Sequence, residues 1–237
     1  MNARVDLAEL RRLERYYSQP WRRRVRVAFL RTELSLRRKG AALVRRGWDC
    51  TAALSALLLF WPLWLALALA IRMGDGGPIL YWQQRVGYRG RVFAFPKFRS
   101  MVMNAETLQG KLANQHADAR TFKQRHDPRI TRIGAFMRRF SLDEIPQLWC
   151  VLRGDMTLVG PRPPLPKEVA RYGLDARQRL EITPGLTCLW QVGGRSELDF
   201  EQQLALDLQY IRERSLTLDV LILLRTVPAV LGGRGAY

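Results

Sequence analysis

Two adjacent carboxylates, Asp143 and Glu144, follow two arginines and a serine in Arg138-Arg-Phe-Ser-Leu-Asp-Glu144. Acids are scarce in this chain: 21 Asp+Glu stand against 39 Lys+Arg, a formal net charge of +18. Two readings of the pair are open. Ser141 with Glu144 three residues on matches a capping box, and acids in a helix's first turn are favourable by roughly 0.3–1 kcal/mol each. Alternatively, a helix N-terminus and nearby arginines draw in a phosphate beside a carboxylate that attacks phosphorus or holds Mg2+. Mg2+ prefers one or two carboxylates plus substrate phosphates, and Asp143 with Glu144 is compatible with that. Candidate anion ligands accompany the pair. Lys97 and Arg99 flank Phe98 at strand spacing, which places both on one face. Arg162 is held between Pro161 and Pro163, whose rings pre-set the backbone, and its planar guanidinium suits bidentate phosphate binding.

The elements that would carry these groups are legible in outline. Ile79–Gln83 and Arg91–Phe95 read as two short strands around Val86-Gly-Tyr-Arg-Gly90. Residues 103–117 and 130–140 read as helices, and a further helix opens at Ser141 and stops at Gly154. Met156–Val159 is a short apolar strand or turn. Residues 167–172 and 176–181 are short helices, and Leu186–Val192 is a strand-like apolar run. Phe200–Glu213 is an amphipathic helix. Leu216–Leu231 is an apolar helix interrupted near Pro228. The fold class is α+β, mainly helical.

With 237 residues and 48% apolar composition the chain has a real core. Its charge implies anionic partners, whether nucleic acid, anionic lipid or phosphorylated substrate. Residues 2–46 read as two basic amphipathic helices interrupted at Ser18-Gln-Pro20, either solvated or lying on anionic lipid. Cys50–Ile71 holds no charged residue. Its 22 residues would span about 33 Å as a helix, enough to cross a bilayer. Pro62 at its centre and arginines at both ends (Arg45, Arg46 and Arg72) raise a second topology, a segment that enters one leaflet, bends and returns. The two topologies are evenly matched on the residues alone. Such a segment argues against a nucleic-acid binder, and no nucleic-acid motif is present. Three widely spaced cysteines, Cys50, Cys150 and Cys188, build no readable disulfide framework or zinc site. The organisation expected is 1–49 basic helices, 50–72 membrane helix and 73–237 catalytic domain.

The chain resembles the bacterial sugar transferases, the monotopic polyprenyl-phosphate phosphoglycosyl transferases. The resemblance rests on Lys97-Phe-Arg-Ser-Met101, Asp127-Pro-Arg-Ile-Thr-Arg-Ile-Gly134, Ser141-Leu-Asp-Glu144, Pro146-Gln-Leu-Trp149, Leu158-Val-Gly-Pro-Arg-Pro163, Pro184-Gly-Leu-Thr187, Gly194-Arg-Ser196 and Asp207-Leu-Gln-Tyr-Ile211, in that order. The closing Gly235-Ala-Tyr237 looks like the exopolysaccharide and O-antigen initiating subgroup. The resemblance implies transfer of hexose-1-phosphate from a UDP-sugar to undecaprenyl phosphate, releasing UMP. Asp143 would be the nucleophile, forming a phosphosugar-aspartyl enzyme, and Glu144 would assist as metal ligand or base. Lys97, Arg99, Arg138, Arg162, Arg195 and Asp207 would fall at anion-binding or site-completing positions, with Pro161, Arg162 and Pro163 facing the nucleotide. Mg2+ is the implied cofactor. The apolar segment would be a re-entrant helix broken at Pro62, on the inner (cytoplasmic) membrane of a bacterium, with the catalytic domain facing the cytosol and anionic membrane lipid as a partner. A homo-oligomer is left open. The alternative is a non-catalytic basic scaffold for polysaccharide machinery. Cys150, Thr157 and Cys188 stand where the family commonly has Asn, Ser and Gly. Cys150, close in sequence to Asp143, is a candidate for sensitivity to thiol reagents.

Overall fold

The computed structural model describes residues 20–109, 127–194 and 198–232. The first of the two expected N-terminal helices and the end of the 103–117 helix lie outside them. The chain divides into two compact units, 1–47 and 48–237. Helix α1 spans Pro20–Leu59, and α2 spans Trp61–Asp75. The break falls where the sequence places it. Pro62 lies in the first turn of α2 and has no N–H for the preceding turn, while Phe60 N still bonds Ala56 O and Trp64 N bonds Phe60 O. Among the described residues no single helix is long and apolar enough to cross a membrane. Gly40–Leu59 and Trp61–Asp75 pass that test together and are bent by 63°.

Within the second unit one face of residues 48–75 is buried: Ala53 joins Phe93, Phe95, Val151, Met156, Tyr210 and Ile222, and Leu67 and Ile71 pack with Phe98 and Met137. The other face leaves Leu58, Leu59, Phe60, Trp61, Leu65 and Leu69 exposed. Gly76, in a left-handed conformation that glycine adopts without strain, ends α2.

Strands β1 (Leu80–Val86) and β2 (Val92–Phe98) form the expected hairpin, each longer than its apolar run suggested. Tyr81 pairs with Lys97, Gln83 with Phe95 and Arg85 with Phe93, so these six side chains share one face. Helix α3 (Ala105–Gln109) follows, and α4 (Arg132–Arg139) is capped by the Thr131 hydroxyl, which accepts from Gly134 N.

The capping box expected at Ser141 does not form. Ser141 has φ 54°, its hydroxyl caps nothing, and Leu142–Gln147 is a tight 3-10 turn rather than α-helix. A residue in the left-handed region cannot present its side chain as an N-cap does, because capping requires an extended backbone. Helix α5 (Leu148–Arg153) begins only after this turn and ends at left-handed Gly154, as expected.

The second sheet is parallel: β3 (Thr157–Val159) pairs with β4 (Gly185–Thr187). Between them lie the one-turn helices α6 (Pro166–Val169) and α7 (Leu174–Arg177). The apolar run Leu186–Val192 is not one strand. It leaves the sheet after Thr187 and becomes α8 (Leu189–Gly193), since a parallel strand of this length has only three partner residues to pair with. Helix α9 (Phe200–Glu213) has the expected bounds and a capping box from Asp199 and Gln202. Helix α10 (Leu216–Gly232) runs through Pro228 without interruption.

Candidate active site

The segments carrying Asp143 and Arg162 line one cavity of about 990 Å³. Ser141 turns the chain from α4 into the 3-10 turn. With Arg89 it is one of two non-glycine residues at positive φ among those described. Strain of this kind persists only where surrounding packing enforces it. Here it sets Asp143 and Glu144 against the Lys97 end of β2.

Arg162 is fixed from both sheets. Gly160 N bonds Thr187 O at 3.0 Å and Gly185 N bonds Pro161 O at 2.9 Å, while Arg85 donates to Pro163 O at 3.0 Å and Val86 N to Pro164 O at 2.9 Å. Pro161 and Pro163 are fully buried. Gly160 and Gly185 approach so closely that a Cβ on Gly185 would lie 2.0 Å from Gly160 N.

The guanidinium of Arg162 meets Glu144 Oε1 at 2.5 Å, and Lys97 Nζ donates to the same oxygen at 3.0 Å. Lys97 Nζ also lies 3.9 Å from Asp143 Oδ2. The two acids therefore separate electrostatically. Burial raises the Asp143 pKa above its ordinary value, Lys97 opposing and the Glu144 charge adding to it. Burial acts likewise on Glu144, but the charges and hydrogen bonds of Arg162 and Lys97 outweigh it and hold that carboxyl well below the usual range. Glu144 is thus a committed counter-ion, and Asp143 is the more basic carboxylate. A raised pKa beside a lowered one is a pattern found at acid–base and nucleophilic sites.

The structure sorts the remaining candidates. Arg138 lines the cavity and donates to Ser100 Oγ at 2.9 Å. Its helix can pack so close because residue 134 is glycine: a Cβ there would lie 2.0 Å from Ser100 O. Arg99 also lines the cavity, but its guanidinium makes a bidentate pair with Asp75 at the end of α2, and its Nε donates to Pro78 O at 2.6 Å. The Arg99 hydrogen bonds hold the Asp75 carboxyl down to about 2. Lys97 and Arg99 accordingly do not act as one pair: Arg99 lies past the end of β2 and ties the broken helix to the site. Asp207 is fully buried and does not line the cavity. It pairs with Arg179 at 2.7 Å, and burial pushes its pKa up to about 6. Arg195 lies outside the described residues.

Cys150 is not poised for thiol chemistry. It is buried, its thiol points to Ala94 O at 3.6 Å, and burial pushes its pKa up to about 11, far from the thiolate that reacts.

Several cavity residues escaped the sequence reading, Arg85 and Arg179 among them. Arg85 lies on the Lys97 face of the hairpin, its guanidinium 5.2 Å from the Phe95 ring centre. The period-2 spacing Tyr81, Gln83, Arg85 carried that signal. Arg179 carried none, being one arginine among many. Among the described residues, nine Lys and Arg line the cavity against four carboxylates, Glu106, Asp143, Glu144 and Glu168. Among the described residues no three His, Cys, Asp or Glu side chains come together. A divalent cation would therefore rest on one or two carboxylates and on substrate phosphates, the Mg2+ pattern. Asp143, 3.9 Å from its nearest cation, fits that use, whereas Glu144 would first have to loosen Arg162.

A protein-family model described as bacterial sugar transferase matches residues 40–233. The chain is 40% identical over 216 residues to a protein of Salmonella typhimurium named undecaprenyl-phosphate galactose phosphotransferase, covering 89% of this chain and 45% of that one. It is 38% identical over 214 residues to the exopolysaccharide production protein ExoY of Rhizobium meliloti, covering 88% and 95%. It is 40% identical over 206 residues to the undecaprenyl-phosphate glucose phosphotransferase of Komagataeibacter xylinus, covering 82% and 37%. The chain thus spans less than half the length of two of these relatives and nearly all of ExoY.

Proposed function

The chain belongs to the bacterial sugar transferase family, and on that premise we propose that it moves a hexose-1-phosphate from a UDP-sugar to undecaprenyl phosphate and releases UMP. The observation that carries the reading is Asp143: a buried carboxylate of raised pKa, 3.9 Å from Lys97, in a cavity with an excess of basic side chains. The names of the relatives supply the substrate classes: undecaprenyl phosphate for the galactose and glucose phosphotransferases, and a UDP-sugar for a 41% identical protein of Erwinia amylovora named UDP-galactose-lipid carrier transferase.

In this reading an Asp143 oxygen attacks the β-phosphorus of the donor. The bond from that phosphorus to the bridging oxygen breaks, and UMP leaves with the electron pair. An oxygen of the polyprenyl phosphate then attacks the same phosphorus and displaces Asp143 as a carboxylate. Lys97 and Arg162 stabilise charge on the phosphoryl oxygens from preorganised positions, Arg162 held by the Pro161–Pro163 turn. Glu144 keeps these two cations in place. Arg138 and Arg85 add donors lining the same cavity. Asp143, and Glu144 once it loosens Arg162, would hold Mg2+, which would supply further neutralisation of the donor diphosphate and of the departing UMP.

The bent α1–α2 pair, with its exposed apolar face, supports a re-entrant membrane segment that keeps this site on the cytosolic side of the inner membrane, with the basic N-terminal segment against anionic lipid. The test uses the full chain in detergent or nanodiscs with UDP-glucose or UDP-galactose alone. One equivalent of UMP should appear, and Asp143 should gain the mass of a hexose phosphate. Asp143→Asn should lose both. UMP release that requires the lipid, with no adduct under quenched conditions, favours direct transfer. Sugar–lipid formation that survives Asp143→Asn supports a scaffold instead.

A further inference from the structure

We propose that the enclosed lobe of the cavity around Arg179 is the pocket for the hexose ring of the donor; the proposal rests on the transferase reading above. Tyr172, Arg179, Trp190, Phe200 and Gln203 line this part of the same cavity that holds Asp143 and Arg162. The Tyr172 and Phe200 rings lie 5.7 Å apart at 46°, and the Arg179 guanidinium sits 5.8 Å and 6.0 Å from their centres. Nη1 donates to the Tyr172 hydroxyl at 3.0 Å, and Nη2 meets the fully buried Asp207 at 2.7 Å. The aromatic pair and the arginine thus form one wall, with Asp207, which does not itself line the cavity, holding the arginine.

Three features fit a neutral hydroxylated ring. The first is charge. Asp207 offsets Arg179, so this wall presents hydrogen-bond donors without the positive excess found around Arg162. A phosphate gains little here, whereas a hydroxyl exchanges a hydrogen bond to water for one to the wall. The second is an unmet donor: Arg179 Nε is buried and has no hydrogen-bond partner. Such a group costs about 1–3 kcal/mol unless a ligand oxygen accepts from it. Aromatic faces complement the apolar C–H faces of a pyranose. The third is enclosure. Tyr172 and Arg179 are 8% and 6% exposed. In the two-step reaction the sugar phosphate stays on Asp143 while UMP departs and the lipid phosphate arrives. The side that exchanges groups must be open, and the side that retains the ring is best closed.

Arg179→Lys keeps the charge facing Asp207 but removes Nε and the guanidinium fork, and Phe200→Leu removes one aromatic face. Affinities of the full-length protein and both variants are measured for UDP-glucose, UDP-galactose and UDP. Each variant is expected to weaken one or both UDP-hexoses by about tenfold, to alter their ratio, and to leave UDP within about twofold, which also shows that the site still folds. Equal losses for UDP and the UDP-hexoses place the lobe at the nucleotide end and overturn the proposal, as does no change for any ligand. Wild-type UMP release separates the levels. If the wild type releases no UMP from either donor in the presence of undecaprenyl phosphate, the transferase reading falls and takes the pocket with it. Equal losses alongside intact wild-type turnover overturn the pocket alone.

Discussion

Replacing Lys97 with methionine should move the acid limb of the pH–rate profile upward. Lys97 Nζ is 3.9 Å from Asp143 Oδ2, and two unit charges at that range interact by about 4 kcal/mol at an effective dielectric near 20. The lysine and aspartate side chains are 20% and 11% exposed, so water screens part of this, and about 2 kcal/mol is the working figure. At 1.36 kcal/mol per pH unit, that is roughly 1.5 pH units. The sign follows from the groups involved. Burial already raises the Asp143 pKa, and Lys97 is the largest influence opposing it. Removing the cation raises the pKa further. In the proposed mechanism the carboxylate is the attacking form, so the reactive fraction at a given acidic pH falls. The assay is UMP release under single-turnover conditions from about pH 4 to 9, with Lys97→Arg as the variant that keeps the charge. Lost phosphate binding by itself lowers the rate at every pH and leaves the limb in place. A uniform fall with an unmoved acid limb refutes the electrostatic coupling of Lys97 to Asp143.

Two further outcomes follow from the fold. Gly185→Ala places a Cβ 2.0 Å from Gly160 N and 2.6 Å from its Cα; the parallel pair must separate, and denaturant unfolding should show a loss of about 3 kcal/mol. An unchanged midpoint would contradict the close approach. Single cysteines introduced near positions 47 and 74 should both react with a membrane-impermeant thiol reagent from the cytosolic side of inner-membrane vesicles. Labelling of either from the periplasmic side restores a simple spanning helix.

Much of the candidate site was legible because its chemistry is local in sequence. Asp143 and Glu144 are neighbours, Arg162 is flanked by its own fixing prolines, and the break at Pro62 follows from a missing N–H. The hairpin and α9 were likewise readable from alternation and helical period. What failed was whatever depended on a partner distant in the chain. The Ser141–Glu144 spacing satisfies a capping box, but packing of the turn against β2 forces Ser141 to φ 54° and Glu144 toward Lys97 and Arg162. Lys97 and Arg99 share strand spacing, yet Asp75, 24 residues upstream of Arg99, takes the arginine. The run after Pro184 looked like a strand throughout because periodicity cannot reveal that β3 offers only three residues to pair with.

The sequence by itself determined the inventory: a basic chain with a carboxylate pair, a rigid arginine turn, an apolar segment broken at a proline, and motifs in an order that identifies the family. Tertiary structure decided the charge environment of that pair. Asp143 and Glu144 have the same functional group, and their order alone does not say which is held as a counter-ion. The difference arises because Arg162, carried by the second sheet, and Lys97, carried by the first, converge on Glu144 and leave Asp143 buried with its pKa raised. Charge interactions depend on distance through space and on access to water, and neither is written in the spacing of residues along a chain.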